Sequence, residues 1–283
     1  SHALGIAASL ASGIRRNFGS MTMSFHSGHA ASSGVRAAQL AKQGFTADPM
    51  IFDKARGYGP IFSLEWSPEE AEKNLAVWGL PFMLLEPGPT FKLFPCGRPN
   101  LFGIDAAMEI QNKHGITHAD VKRIICDVSY MYPRTVIHSR PTNGLQGKTS
   151  LEYCIAAALV DHRPTLTSFT DKAVMRPVLQ DLVDRTEMRV PPHLGEDVPA
   201  VRKAPFEQPV TVTVQTHDGR SLSHTIDHHK GAPKNPASVN DLRQKFVDCA
   251  SAHLPAARVQ GILDHIASPG ASVRSLMALL PIQ

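Results

Sequence analysis

Several features that would assign a protein to a specialised class are scarce or missing in this sequence of 283 residues. Aromatic residues make up 6% of the chain and do not alternate with basic residues, so the stacking surface typical of single-stranded nucleic-acid binding is missing. The sequence contains no run of 18 apolar residues, and no basic segment precedes an apolar stretch near its first residue. We therefore expect a soluble, cytoplasmic protein with no nucleic-acid partner and no membrane partner.

The charge and the cysteine content exclude further classes of protein. Lys and Arg number 29 against 25 Asp and Glu, and this small, scattered excess suits anionic small ligands better than a nucleic-acid surface. The four cysteines are far apart and form no C-x-x-C pair, which predicts reduced thiols. Gly-rich phosphate loops and the G-x-S-x-G nucleophile elbow are missing as well. Hydrophobic residues make up 42% of the chain, which is enough for an ordinary globular core.

Histidines are the residues that could suggest a metal. His217, His224, His228 and His229 lie close together in the sequence, but their spacing matches no zinc pattern and no cysteine or carboxylate set accompanies them. A solvated edge of a hairpin is the favoured interpretation. The sequence predicts no metal and no other cofactor.

Hydrophobic periodicity predicts helices near both ends of the chain. A helix is expected over 3–18, followed by a polar loop over 20–26 and a second helix from Ser27 to Gly44. Ser67 is placed as the N-cap of a helix over 68–78, since a proline and acidic residues follow it. Further helices are predicted over 240–253, 256–267 and 272–280.

The central part of the chain combines patterns typical of helices with patterns typical of strands. Prolines concentrated between residues 80 and 99 indicate a domain boundary. Beyond it the sequence predicts a helix over 101–114, a strand over 121–128, a helix over 151–160 capped by Ser150, and a hairpin of strands 210–215 and 221–226. The fold class expected is mainly α with an inserted α+β domain, in which helical flanks over residues 1–87 and 233–283 enclose an α+β domain over 88–232.

Polar residues interrupt apolar surroundings in three places, each just before a predicted helix. They are residues 22–26, Lys92 with Arg98, and residues 148–153. A helix N-terminus offers free backbone N–H groups and the positive end of the helix dipole. Three such ends would suit a ligand with several carboxylates if they converged.

Three segments carry a resemblance to a known family. Residues 19–31, GSMTMSFHSGHAA, are similar to the segment G-x-M-T-K-S-F-H-A-G-x-A-A of the MmgE/PrpD family, which includes 2-methylcitrate dehydratases, cis-aconitate decarboxylases and iminodisuccinate epimerases. Residues 91–96, FKLFPC, resemble its K-x-Y-P-C segment. Residues 147–159, GKTSLEYCIAAAL, resemble its G-K-F-S-L-x-Y-x-x-A-A-A-L segment. The segments occur in the family's order, so the chain is identified as a member.

The resemblance implies both an architecture and an activity. Family members have a helical domain built from both chain ends, an α+β lid inserted between them, and a homodimeric assembly. The implied function is a cofactor-independent lyase of the dehydratase type, which removes a proton next to a carboxylate of a citrate-like small polycarboxylic acid. An epimerase on the same scaffold is one alternative, and a catalytically silent member that binds a carboxylate is the other. Family members carry further active-site residues, an aspartate and histidines, in segments that precede the part aligned with Ala3.

The resemblance also assigns candidate site residues. Tyr153 matches the family's active-site tyrosine, and its alternative is a core tyrosine with a satisfied hydroxyl. Lys92 matches a lysine that binds a substrate carboxylate, and its alternative is a solvated surface lysine. His26 could hold a carboxylate or stabilise the start of a helix. Met23 stands where many relatives have a lysine, so the predicted site has one cation fewer. Arg98 could replace that positive charge, and its alternative is a role at the protein surface.

Overall fold

The computed structural model describes residues 1–52, 56–63 and 66–280. Over these ranges the chain forms thirteen α-helices and one sheet of four strands, which confirms a mainly α-helical protein with a smaller α/β part. The chain divides into two compact units, Ser1–Pro89 and Thr90–Gln283. The predicted helical domain made of 1–87 and 233–283 stays a prediction. No helix in the described ranges is both long enough and apolar enough to span a bilayer.

The first unit is helical. Its helices are α1 (His2–Ser9), α2 (Met21–Lys42), α3 (Tyr58–Phe62) and α4 (Pro68–Ala76). The capping prediction for α4 is confirmed, because the backbone N–H of Glu70 donates to Ser67 Oγ at 3.2 Å. This helix ends at Ala76, two residues before the predicted end.

The prediction of a helix over 3–18 is wrong in its second half. The helix α1 ends at Ser9, and only a short 3-10 turn, Arg15–Asn17, follows before Ser20. Gly13 has a φ of +121°, a conformation that the α-helix does not contain and that glycine adopts without a steric penalty. The helical spacing of small residues therefore continues in the sequence beyond Ser9, where the helix itself ends.

The predicted polar loop over 20–26 is also wrong, since α2 begins at Met21. Ser20 has an extended backbone at the N-cap position, and its hydroxyl donates to the carbonyl of Asn17 at 2.7 Å. No glycine or proline lies among the next six residues, so nothing in them opposes helix formation. Met23 and His26 consequently lie on the first two turns of a long helix.

The second unit combines nine helices with the sheet. The helices are α5 (Arg98–His114), α6 (Gly144–Gly147), α7 (Leu151–Asp161), α8 (Asp171–Val174), α9 (Pro177–Asp184), α10 (Pro199–Lys203), α11 (Val239–Ala250), α12 (Ala256–Ala267) and α13 (Val273–Leu279). The strands are β1 (Val121–Asp127), β2 (Thr186–Arg189), β3 (Val210–Thr216) and β4 (Ser221–Ile226). The predicted helices, strand and hairpin of this region are confirmed with small shifts at their ends. The helix α5 begins three residues early, because Gly97 serves as its N-cap and Pro99 suits its first turn.

The sheet has the strand order β2-β1-β3-β4. The short strand β2, which the sequence did not predict, pairs with β1 in parallel, and the other neighbours are antiparallel. Val210, Val212 and Val214 of β3 are fully buried. On the opposite face the hydroxyls of Thr213 and Ser223 are 2.8 Å apart across the hairpin. The alternation read from the sequence is therefore the alternation of a half-buried strand.

The helix α7 lies in the middle of the core of this unit. Residues 151–159 are all buried, and α7 packs against α5, α9 and β2. The contact with α5 is close because Gly103 has no side chain, and a Cβ there would lie 2.7 Å from Leu151 Cδ1. The first turn of α7, with Glu152 and Tyr153, is thus enclosed within the protein.

Candidate active site

Tyr153 is held in the first turn of α7. Its backbone N–H donates to Ser150 Oγ at 3.1 Å, which is the helix cap that the sequence predicted. Its side chain is fully buried, stacks edge-to-face on Phe169 with ring centroids 5.7 Å apart, and donates its hydroxyl proton to the carbonyl of Ser168. Burial raises the pKa of the phenol above its ordinary value. At neutral pH Tyr153 is therefore a protonated hydrogen-bond donor and not a base.

A polar network extends from this hydroxyl. Ser168 Oγ donates to Asp161 Oδ2 at 2.8 Å, and Arg176 Nη2 lies 2.7 Å and 2.8 Å from the two oxygens of Asp161. Tyr153 is thus joined through Ser168 to an Arg–Asp ion pair. Motifs and periodicity do not predict these three partners. The available signal was a polar run, Asp161 to Arg163, at the end of an otherwise apolar helix, followed by several hydroxyl residues.

Lys92 is exposed on a backbone segment that is anchored on both sides. The N–H of Phe91 donates to the carbonyl of Gly231 at 2.8 Å, and Leu93 and Phe94 are buried. Within the part of the chain that the structure describes, the ammonium group of Lys92 has no ion-pair partner. An exposed, uncompensated cation on a fixed backbone is suited to pairing with a carboxylate.

Replacing Gly231 with alanine tests how this segment is held. Gly231 has a φ of +92°, and a Cβ there would overlap the carbonyl oxygen of Phe91, which a backbone atom cannot easily avoid. We expect the substitution to lower the free energy of unfolding by about 2 kcal/mol or more, since backbone strain and a steric overlap add. Urea unfolding measures this change.

The matched control is Gly261→Ala. Gly261 lies inside α12, and no atom is within 4 Å of a Cβ built there. Alanine is favoured over glycine within a helix by about 1 kcal/mol, so this variant should be neutral or more stable. Equal stability of the two alanine variants would contradict the role given to Gly231.

Arg98 lies in the first turn of α5 and forms an ion pair. Its Nη2 donates to Glu207 Oε1 at 2.8 Å, and its buried Nε has no hydrogen-bond partner among the described residues. Glu207 offsets its charge. The suggestion that Arg98 compensates for the missing lysine at Met23 stays a prediction.

His229 is buried, although the sequence predicts that it is solvated. His229 is fully buried against Phe102, with ring centroids 5.1 Å apart, and its Nδ1 lies 3.0 Å from the carbonyl of Lys230. The prediction of a solvated edge is therefore wrong for His229, because a tertiary contact with α5 covers it. Burial lowers the pKa of this imidazole. Across the described ranges, no three His, Cys, Asp or Glu side chains group as metal ligands would.

Met23 and His26 belong to the first unit. They are three residues apart on α2, so they share one face, and both are half-buried. A Cβ at Gly13 would lie 3.5 Å from Cγ of His26, so the imidazole packs over this glycine. The contact fits the structural alternative for His26, and its role in binding a carboxylate stays a prediction.

Glu152 is a second buried polar group that the motifs do not predict as a site residue. Its side chain is 4% exposed, and the hydroxyl of Ser150 lies 3.4 Å from Oε2. Burial raises the pKa of this carboxyl to about 7. It lines a cavity of about 430 Å³ together with Arg140 and Asp184, which form an ion pair. A carboxyl with a pKa near 7 can exchange protons at neutral pH. The signal for it in the sequence is an acid in the first turn of an otherwise apolar helix.

The fold and these motifs define the class of the protein. Residues 94–268 match the family model described as the MmgE/PrpD C-terminal domain, and residues 1–71 match the model of the MmgE/PrpD N-terminal domain. The chain belongs to the MmgE/PrpD family, which confirms the resemblance found in the sequence.

Among individual proteins the chain is similar to several cis-aconitate decarboxylases. It is 28% identical to the cis-aconitate decarboxylase of Mus musculus, over 92% of this chain and 52% of that protein. It is 26% identical to the enzyme of Homo sapiens, over 92% and 53%. Identity to the enzyme of Aspergillus terreus is 23%, over 94% and 56%. The chain thus spans about half the length of the curated relatives it matches.

Proposed function

We propose that the protein is a cofactor-independent lyase that acts on a small tricarboxylic acid. The observation that carries the proposal is the buried, protonated hydroxyl of Tyr153 in a motif of the family. The sequence favoured loss of water from a citrate-like substrate, whereas the names of the relatives favour loss of carbon dioxide from cis-aconitate. We also propose that the protein forms a homodimer and is located in the cytoplasm.

Both reactions need a proton donor and a cation. When carbon dioxide leaves, the electron pair of the broken C–C bond stays on the substrate carbon, which then takes a proton. When water leaves, a base removes the proton next to a carboxylate, and an acid protonates the departing hydroxide. A protonated Tyr153 suits the donor step in either case once the substrate replaces its hydrogen bond to Ser168. Lys92 would pair with a carboxylate and stabilise the developing negative charge.

A catalytically silent, carboxylate-binding protein is the second candidate. Met23 carries no charge at the position where many relatives have a lysine, and Arg98 is already paired with Glu207. Fewer cations are then available to stabilise a carbanion. Binding of a polycarboxylate without turnover would distinguish this function from the first.

Incubation with candidate substrates in deuterated water separates these functions. The purified protein would be mixed with cis-aconitate, 2-methylcitrate, citrate or iminodisuccinate and followed by NMR. We expect loss of carbon dioxide or water from a tricarboxylic acid. Solvent-derived label without net loss would identify an epimerase and contradict the lyase, and binding without any reaction would support the silent protein.

A further inference from the structure

A cavity of about 500 Å³ lies beside the Tyr153 network and is lined by cations and hydroxyl groups. Arg163, Lys172 and Arg176 face it, with Asp161 as the acidic residue in its wall. Cavities of this size are in the range that binds small molecules. The proposed function gives no role to this cavity.

The positive charges of the cavity are only partly compensated. Arg176 is paired with Asp161, and Nε of Arg163 donates to Asp248 Oδ2 at 2.9 Å. The Nη2 atom of Arg163 is buried and has no hydrogen-bond partner among the described residues. Lys172 is exposed on α8 and has no ion-pair partner in the described ranges. The cavity wall therefore retains a net positive charge.

The hydroxyl groups add donors to this charge. Thr165 Oγ1 and Thr167 Oγ1 are 2.8 Å apart, and both residues line the cavity. One hydrogen bond between two hydroxyls uses one of their two protons, so the other proton is free to be donated. Guanidinium, ammonium and hydroxyl groups together are the donors that bind oxyanions.

We propose that this cavity is a binding site for a small anion that carries carboxylate or phosphate groups. Lys172 contributes the uncompensated charge, the guanidinium groups of Arg163 and Arg176 add positive charge to the wall, and the Thr165–Thr167 pair contributes a hydroxyl proton. The site is distinct from Lys92, whose segment lies elsewhere in the sequence and does not line the cavity. An anion bound here would sit against Ser168, whose carbonyl accepts the hydrogen bond of Tyr153.

Isothermal titration calorimetry of the purified protein with citrate and with inorganic phosphate tests the site. We expect at least one of the two anions to bind, and Lys172→Gln to weaken that binding by about three- to fivefold, as loss of one solvent-exposed charge does. The stronger of the two ligands identifies a carboxylate or a phosphate as the preferred group. Lys122→Gln is the matched control, because Lys122 is an exposed lysine on β1 that does not line the cavity, and it should bind as the wild type does.

A third variant, Lys92→Gln, separates this site from that of the proposed lyase. Binding that depends on Lys92 and not on Lys172 would place the anion elsewhere and overturn the proposal. Failure of the wild type to bind either anion would also overturn it. Binding that depends on Lys172 would support the site even if the protein turned over none of the candidate substrates.

Discussion

Replacing Tyr153 with phenylalanine is expected to lower turnover of the tricarboxylic substrate by more than about tenfold, because a positioned proton donor contributes at least that factor. The donor acts in the transition state, so kcat should fall while KM changes little. Steady-state kinetics with the substrate identified by NMR measure both. Turnover at the wild-type rate would remove Tyr153 from the mechanism.

The structure offers a matched control in Tyr132→Phe. Both tyrosines are fully buried in the same core, but the hydroxyl of Tyr132 has no hydrogen-bond partner among the described residues. Loss of the Tyr153 hydroxyl leaves the Ser168 carbonyl unpaired at a cost of about 1–2 kcal/mol, whereas Tyr132→Phe should leave stability unchanged or higher. Urea unfolding curves of both variants give the fraction of folded protein. They show whether the fall in turnover of Tyr153→Phe is larger than the fall in its folded fraction.

Replacing Glu152 with glutamine is expected to stabilise the protein by about 2 kcal/mol at pH 8 and by little near pH 4.5. Burial raises the pKa of this carboxyl to about 7, so the folded state holds the proton more tightly than the unfolded state. Stability is therefore retained at low pH and lost as the pH rises through 7. Glutamine carries no charge and can still accept the hydrogen bond from Ser150. Urea unfolding across pH 4.5 to 8 measures the difference.

Asp197→Asn serves as the control for this pH dependence. Asp197 is exposed in the turn before α10 in the same unit, so its variant should follow the wild-type curve. Asp105, whose pKa burial raises to about 6, affects the wild type and the Glu152 variant alike and cancels in their difference. A Glu152→Gln variant with the same pH dependence as the wild type would show that the carboxyl is solvated in solution.

Local signals predicted much of the secondary structure. The sequence predicts Ser67 and Ser150 as helix caps, and each accepts a backbone N–H of the following turn. The turn at Asp218-Gly219 joins the predicted strands, and Gly219 has the positive φ that such a turn needs. These predictions succeeded because a cap or a turn depends on residues within four positions of each other.

Predictions failed where local patterns were ambiguous. Polar residues in 20–26 suggest a loop, but a helix tolerates exposed polar side chains, and α2 begins directly after Ser20, which holds the N-cap position. The strand β2 is not predictable from the sequence because it is four residues long and depends on β1 for its hydrogen bonds. A strand of this kind forms only through contacts with residues distant in the chain.

The family and the mainly helical fold could be predicted from the sequence, and Lys92 and Tyr153 could be proposed as site residues, because ordered motifs and periodicity are properties of the chain. Contacts across the fold set which groups are buried, paired or free. Arg98 is offset by Glu207, 109 residues away, and Glu152 has a raised pKa because α7 is surrounded by the core. Charge compensation and desolvation depend on contacts across the fold, and no local pattern encodes them.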